Sequence, residues 1–254
     1  MTSNAEDEVV PPPNPLEGVP ELKTTTLTTD DDKIAALKLV ADSIAQQRQF
    51  ASRTVIFHPA FVAAYVLLLG IVWKLLYKTS SDIGIVVTTS AGVTMAVLVA
   101  VRSFTAGYIH LAEGFTWAFA TNEDGEEDIL IGSRYGEELI GAVILRLERN
   151  NSSGGGGKKK RGLKTGGEAL IRAWTVRIKY RGKGVGTELL EEAIRVSREK
   201  LGNSAKIGFA TEHANSKMIM PAMFNGGFKA REAKAAKALE KTLASMDSSS
   251  RKKR

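Results

Sequence analysis

Two long runs of apolar residues dominate the pattern of hydrophobic and polar positions along the chain. They extend over residues 60–76 and 83–101, and the second run contains no charged residue. At about 1.5 Å per residue, each run would form a helix roughly as long as the hydrocarbon core of a bilayer is thick. Because only the polar stretch 77–82 connects them, the pattern predicts a transmembrane hairpin. Two helices buried in a soluble core are the alternative.

Shorter patterns on both sides of this hairpin predict a mixed α/β domain. Upstream, a β-prone run at 23–27 precedes helical apolar spacing over 34–50, and Asp30, Asp31 and Asp32 supply an N-cap and first-turn acids. Downstream, a short helix is expected around 107–114, and strand-like runs follow at 128–134, 139–147, 169–176 and 205–211. The first two of these strands predict a β-hairpin. Further helices are expected at 187–201, at 215–224 with a kink or first turn at Pro221, and after 230.

Composition shifts mark the segments that fall outside the predicted core. The predicted organisation is a disordered acidic and proline-rich segment at 1–21, a first strand and helix at 22–58, the transmembrane hairpin at 59–102, the rest of the domain at 103–230, and a helical basic tail at 231–254. The domain also contains a flexible basic loop at 150–167, which is rich in Ser, Gly and Lys.

Composition also narrows the possible chemistry. The chain has no cysteine, which excludes thiolate nucleophiles, disulfides and cysteine-based metal sites. His58, His110 and His213 lie far apart without ligand spacing, so no metal is expected. The net charge of +7 suits an anionic cofactor or membrane headgroups. The basic runs lack interleaved aromatic residues, and we therefore expect no nucleic acid partner.

A glycine-rich basic turn lies between the predicted strand 169–176 and the predicted helix 187–201. Its sequence is Tyr180-Arg181-Gly182-Lys183-Gly184-Val185-Gly186. Glycines let the backbone approach an anion, and the N–H groups of the following helix N-terminus favour negative charge. Arg181 and Lys183 add charge-assisted donors. The spacing fits neither a Walker loop nor a dinucleotide fingerprint, which would need a glycine at Thr187. A glycine-rich turn without a ligand is the alternative.

The positions of Arg181, Gly184 and Gly186 fit the pattern [Arg/Gln]-x-x-Gly-x-[Gly/Ala]. In this respect the turn resembles the acyl-CoA pyrophosphate loop of the GNAT N-acetyltransferase superfamily. The order of the elements is similar to that of a membrane-anchored subgroup that includes the cysteine-conjugate N-acetyltransferases of the endoplasmic reticulum. The resemblance implies an α/β (α+β) fold, with a mixed central sheet flanked by helices and an inserted two-helix transmembrane hairpin.

The resemblance also implies direct transfer of an acetyl or other acyl group from acetyl-CoA to an amine, without a covalent enzyme intermediate. Backbone N–H groups near Thr175 and Val176 would hold the CoA arm and polarise the thioester carbonyl. Asn215 would lie near the pantetheine. The implied pyrophosphate-binding residues are Arg181, Gly182, Lys183, Gly184, Val185, Gly186 and Thr187. The candidate general bases, by their position after the fifth strand, are Glu212 and His213, with Glu168 as a third candidate.

One part of the resemblance is incomplete. Asn215 and Gly227-Phe228 resemble the two ends of the helix that follows the fifth strand in that superfamily, but Met223 or Phe224 stands where a tyrosine acid is expected. A fold that binds acyl-CoA or a protein partner without transfer therefore stays open. A membrane scaffold whose basic segments bind anionic lipid is a third possibility.

The short connection of the hairpin predicts that both flanks, and hence both termini, lie on one side of the membrane. Positive charges cluster in these flanks, which assigns them to the cytoplasm, while Lys74 and Lys78 favour the opposite orientation. The expectation is a two-pass protein of the endoplasmic reticulum with a cytoplasmic catalytic domain. The sequence leaves open the acceptor amine, the acyl chain length and the oligomeric state.

Overall fold

A computed structural model describes residues 20–121, 125–149 and 167–252. The predictions of disorder at 1–21 and of a flexible loop at 150–167 fall almost entirely outside these residues.

The described part of the chain forms one sheet whose five strands lie side by side in sequence order. The strands β1 to β4 pair antiparallel, whereas β5 pairs parallel to β4. The predicted β-hairpin is confirmed as β2 and β3, with Gly136 at a φ of 62° in the turn between them. The strands are β1 (Leu22–Thr26), β2 (Ile129–Tyr135), β3 (Glu138–Arg149), β4 (Gly167–Val176) and β5 (Lys206–Phe209).

Helices cover both faces of this sheet. On one face lies α1 (Asp30–Ile56), which packs Leu37, Val40 and Ile44 against the sheet. On the other face lies α5 (Val185–Leu201), which contributes Leu189, Leu190 and Ile194 to the larger core cluster. The two faces are therefore apolar layers on either side of β2, β3 and β4. The remaining helices are α2 (Pro59–Leu76), α3 (Ile83–Phe104), α4 (Gly107–Glu113) and α6 (Gly226–Lys252).

The start of α1 differs slightly from the prediction. Thr29 is the N-cap, and its side chain accepts a hydrogen bond of 3.3 Å from the backbone N–H of Asp32. The three aspartates occupy the first turn instead, where their charges favour the helix dipole.

The helices α2 and α3 form a hairpin that projects its apolar surface outward. No residue of α2 is buried, and a hydrogen bond of 2.7 Å between the hydroxyls of Tyr65 and Thr94 joins the two helices. Both segments are long and apolar enough to cross a membrane, by length and composition. The alternative of two helices buried in a soluble core does not fit this exposure.

The predicted helix over 215–224 is wrong. These residues form a loop with one 3-10 turn at Ala222–Phe224, and the next α-helix, α6, begins at Gly226. Pro221 cannot donate a backbone hydrogen bond and disfavours helical geometry in the residue before it. Side chains hold the loop instead: Asn225 Nδ2 donates to the carbonyl oxygen of Met220 at 2.9 Å. The predicted tail helix is present and starts earlier than expected.

Candidate functional site

The strands β4 and β5 separate halfway along β4. The pairing of β4 with β5 runs from Glu168 opposite Lys206 to Ile171 opposite Phe209. From there to Val176, β4 is paired only with β3 among the described strands. A β-bulge at Arg172 coincides with this separation, because β3 pairs with Ile171 and Ala173 in successive positions. The last residues of β4 therefore have one open edge.

Backbone groups of Val176 face this open edge. The next residue, Arg177, donates its N–H to Ile140 of β3 at 2.8 Å. Because the backbone groups of a strand alternate between its two edges, the N–H and C=O of Val176 point away from β3. The carbonyl oxygen accepts a hydrogen bond of 2.8 Å from Arg181 Nε. The N–H of Val176 is thus available to a molecule lying along the open edge.

The glycine-rich turn lies directly beyond the end of β4. Gly182 and Gly184 have φ values of 78° and 90°, and Gly184 is the N-cap of α5. Only glycine adopts this backbone region without strain. As a result, the N–H groups of residues 182–186 have no hydrogen-bond partner among the described residues. Successive free N–H groups at a helix N-terminus form a site for an anion such as a phosphate.

The other predicted pyrophosphate-binding residues differ in what they can contribute. Val185 is buried in the core and anchors the turn. The N–H of Thr187 is used within the first turn of α5, where it donates to Gly184 at 2.8 Å. Lys183 is exposed, and its Nζ lies 5.6 Å from the centroid of the Tyr180 ring. The free backbone donors, rather than the side chains of Val185 and Thr187, are therefore the groups of this turn that could hold an anion.

The open edge and the turn line one cleft of about 1790 Å³, which α1 and α6 close from the other sides. Trp174, Thr175 and Val176 line it from β4, and Arg181, Gly182 and Gly186 line it from the turn. The cleft can hold an extended ligand that runs from the turn along β4.

The charges of the cleft favour an anionic ligand. Its cationic lining residues, none of which forms an ion pair within the described part of the chain, are Arg48, Arg53, Arg181, Lys229 and Arg231. Among the residues that the structure describes, the only acidic ones that line the cleft are Asp42 and Glu232. Burial lowers the pKa of Arg181, and burial followed by the charge of Arg181 lowers the pKa of Arg231. Both guanidinium groups stay protonated at neutral pH and would be stabilised by an anion.

His213 and Asn215, two of the candidate site residues from the sequence, also line the cleft. His213 Nδ1 accepts a hydrogen bond of 3.2 Å from the backbone N–H of Asn215, and its Nε2 lies 3.5 Å from Glu232 Oε1. Burial lowers the pKa of His213, and the neighbouring Glu232 opposes this effect. Asn215 Oδ1 accepts a hydrogen bond of 2.7 Å from Gln47 Nε2 on α1.

The two other candidate bases lie elsewhere. Glu212 is exposed and does not line the cleft. Glu168 lies at the opposite end of β4, where its carboxylate is 3.7 Å from Lys206 Nζ. Within the described residues, no group of three or more His, Asp or Glu side chains is arranged to hold a metal ion.

Sequence reasoning missed the contributions of α1 and α6. Gln47, Arg231 and Glu232 reach the cleft from helices that lie far from the glycine-rich turn along the chain. No motif in the sequence marks them, since each is an ordinary polar residue in a helical segment.

Comparison with known proteins gives one family match. Residues 101–219, just under half of the chain, match the sequence model of the Acetyltransferase (GNAT) family. This range includes β2 to β5 and α5, whereas α1 and α6 lie outside it. No curated protein is similar in sequence at a significant level.

Two solved structures show distant similarity. One is a transcriptional regulator from Bacillus halodurans C-125, with 16% identity over 44% of this chain and 63% of that chain and a TM-score of 0.26. The other is a proposed acetyltransferase from Pyrococcus horikoshii, with 14% identity over 77% of this chain and 85% of that chain and a TM-score of 0.29. The chain thus spans less than two thirds of the regulator's length.

Proposed function

We propose that the protein transfers an acetyl group from acetyl-CoA directly to an amine, because residues 101–219 match the model of the Acetyltransferase (GNAT) family. We propose further that the hairpin of α2 and α3 anchors it in a membrane. The observation that carries the proposal is the row of N–H groups at 182–186, which are free within the described part of the chain. They open into a cleft whose Arg and Lys side chains have no carboxylate partner among the same residues.

The proposed donor fits the cleft in two respects. Coenzyme A carries a pyrophosphate and a third phosphate, and the helix N-terminus at Gly184 and Val185 supplies free donors for such a group. Its pantetheine arm is long and largely uncharged, and it would extend along the open edge of β4 toward Asn215. The positive charges of Arg181 and Arg231, which form no ion pair with any described residue, would balance the charge of the phosphates.

The chemistry assigned to the cleft is a direct displacement. The thioester carbonyl would accept a hydrogen bond from the N–H of Val176, which stabilises the charge that develops on its oxygen. The amine nitrogen attacks the carbonyl carbon, a C–N bond forms, and the C–S bond of the thioester breaks. The chain contains no cysteine, so no acyl group passes through an enzyme thiol. Holding both reactants in one cleft supplies much of the rate through proximity.

Exposed apolar residues at the base of the hairpin support the proposed membrane anchor. Phe57 lies just before α2, Phe104 is the last residue of α3, and Ile219 and Met223 lie on the adjacent loop; all four side chains are exposed. Phe224 connects this loop to the hairpin, because its ring lies 5.0 Å from that of His58. Such residues suit the boundary between lipid and water.

The proposed orientation follows from the same geometry. Arg53 and Arg102 lie near the ends of the hairpin on the side of the domain, which favours a cytoplasmic domain and cytoplasmic termini. We assign the protein to the endoplasmic reticulum on the resemblance to its membrane-anchored acetyltransferases.

A second function, binding of acyl-CoA without transfer, has one observation in its favour. The described lining of the cleft contains no tyrosine, and Met223 and Phe224 stand where the superfamily pattern has one. A different proton donor, or water, would then have to serve the leaving thiolate.

Thiol release distinguishes the two functions. Detergent-solubilised protein is incubated with acetyl-CoA and a panel of amines, namely amino acids, amino acid conjugates, polyamines and a lysine peptide. Free thiol is measured with a chromogenic disulfide, and the chain adds no background because it has no cysteine. Amine-dependent thiol release supports the transferase. Binding of acetyl-CoA without release above the amine-free control supports the non-catalytic function.

A further inference from the structure

The proposed transfer needs a group that accepts a proton, because an aliphatic amine is protonated at neutral pH and cannot attack in that state. Sequence reasoning offered Glu212 and His213 for this role. Glu212 does not line the cleft, and the only carboxylates that do so within the described residues belong to Asp42 and Glu232. The choice among these groups rests on the proposed function and concerns the same site.

The hydrogen bonds of His213 leave it no free lone pair. A neutral imidazole has one acceptor nitrogen and one N–H donor. Nδ1 already accepts from the backbone N–H of Asn215 at 3.2 Å, so the proton resides on Nε2, which faces Glu232 Oε1 at 3.5 Å. Burial lowers the pKa of His213, so the neutral form is favoured at neutral pH. In this arrangement His213 donates to Glu232 and cannot accept a proton from a substrate.

Glu232 has the free acceptor that His213 lacks. Its side chain is 39% exposed and lines the cleft, and among the described residues its carboxylate has only His213 as a partner. We propose that Glu232 is the general base of the transfer and that His213 is a positioning residue, which holds one carboxylate oxygen and leaves the other to the amine.

The backbone places this pair beside the reacting part of the cleft. The N–H of Ala214 donates to the carbonyl oxygen of Arg172 at 2.7 Å, which holds the segment containing His213 against β4 just before its open edge. Glu232 reaches the same point from α6, which lies outside the range that matches the family. Glu232 on α6 and His213 in the loop after β5 thus lie in the same cleft as the glycine-rich turn that follows β4.

The proton balance of the step is complete. A Glu232 oxygen takes one proton from the ammonium group, directly or through one water, and the neutral amine attacks the thioester carbon. A second proton leaves the nitrogen as the C–S bond breaks and is taken up by the CoA thiolate. Glu232 then releases its proton to water, and no oxidant, metal or covalent intermediate is required.

Other charged groups face this site and belong in the interpretation of any pH profile. They come from three elements: Asp42, Arg48 and Arg53 on α1, Arg181 in the turn, and Lys229 and Arg231 on α6. Apart from Asp42, these groups are Arg and Lys side chains, which donate hydrogen bonds and have no acceptor atom. Asp42 is therefore the one competing base to be tested.

The test compares Glu232→Gln with Asp42→Asn and with Glu240→Gln, an exposed glutamate elsewhere on α6. Loss of a general base lowers kcat about 10²- to 10⁴-fold. We expect such a loss for Glu232→Gln at neutral pH, with unchanged acetyl-CoA affinity by calorimetry. Its rate should recover as the pH rises toward the pKa of the acceptor amine, because a free amine needs no base. Glu240→Gln should match the wild type.

Two readouts separate a base from a structural residue. If the loss of activity were purely structural, the rate would not recover at high pH. A Glu232→Gln variant whose rate does not recover at high pH would therefore overturn the proposal. Recovery of the rate in Asp42→Asn alone would overturn it as well. The NMR titration of the His213 imidazole gives a readout without activity: removing the charge of Glu232 should lower its pKa further. An active wild type with an equally active Glu232→Gln overturns only the role of Glu232. A wild type that binds acetyl-CoA but acetylates no amine overturns the transferase and the base together.

Discussion

Trp174 Nε1 donates a hydrogen bond of 3.1 Å to the carbonyl oxygen of Gly186, and its ring fills the space that a side chain at 186 would need. A Cβ at this position would lie 2.9 Å from Trp174 Cζ2. Strand β4 and the start of α5 are therefore fitted to each other through a tryptophan and a glycine that both line the cleft. The relative position of the open strand edge and the free N–H groups depends on this contact.

Gly186→Ala should disturb that fit. The added methyl group forces the Trp174 ring or the turn to move, and overpacking of this kind costs about 1–3 kcal/mol of unfolding free energy. We expect a lower midpoint in denaturant unfolding and weaker binding of acetyl-CoA in calorimetry. Gly208→Ala on β5 is the matched control, because a Cβ there meets nothing within 4 Å. Equal unfolding midpoints and equal acetyl-CoA affinities in the two variants would contradict the proposed role of the contact between Trp174 and Gly186.

His213 should make the stability of the fold depend on pH. Its pKa in the folded protein is lowered by burial below the ordinary value of 6.5, which applies to the unfolded chain. Between these two values the unfolded state binds more protons, so the free energy of unfolding falls as the pH drops through this window. The contribution is fully present above pH 6.5.

Denaturant unfolding of the wild type and of His213→Gln, above and below pH 6.5, checks this expectation. The variant should lose the part of the pH dependence that His213 causes. A wild type and a variant with parallel pH profiles would show that His213 titrates alike in the folded and unfolded states.

Site-specific labels can test the membrane anchor, because the chain has no native cysteine. An environment-sensitive fluorophore is attached to Met95→Cys near the middle of α3, Met223→Cys in the loop or Glu240→Cys on α6, each at an exposed position. In liposomes with lipid-borne quenchers, we expect deep quenching at 95, shallow quenching at 223 and none at 240. Strong quenching at 95 by an aqueous quencher would contradict the membrane anchor. Aqueous exposure at 223 alone would contradict only the contact of the loop.

The sequence pattern predicts those helices, strands and turns whose structure is determined by residues close together along the chain. The β-hairpin of β2 and β3 follows from two apolar runs and a short turn, and β4, the glycine turn and α5 follow from consecutive residues. The helical spacing at 215–224 predicts a helix wrongly, because this segment is held as a loop by side-chain hydrogen bonds that its spacing does not reveal. Asn225 donates a hydrogen bond to the carbonyl oxygen of Met220, and Asn215 accepts one from Gln47 across the cleft.

The candidate site likewise has one part that follows from residues close together along the chain and another part that depends on distant ones. Arg181, Gly184 and Gly186 could be proposed as site residues from their spacing, because a glycine-rich turn before a helix is a local structure. The pair of His213 and Glu232 could not, because it forms only when α6 returns across the open edge of the sheet. Its members are nineteen residues apart by their numbers, and nothing in the sequence near either one refers to the other.

Calorimetric titration of acetyl-CoA into the wild type and Gly184→Val tests whether the glycine-rich turn binds this cofactor. Gly184 has a φ of 90°, which valine adopts only with strain, so the substitution should displace the free N–H groups of the turn. Gly125→Val is the matched control, since Gly125 has a φ of 79°, similar open space and no place in the cleft. We expect the wild type and Gly125→Val to bind acetyl-CoA, and Gly184→Val to bind it at least about tenfold more weakly, a loss of roughly 1.4 kcal/mol. A wild type that does not bind acetyl-CoA, or a Gly184→Val variant that binds as the wild type does, would contradict the proposed binding of acetyl-CoA at this turn.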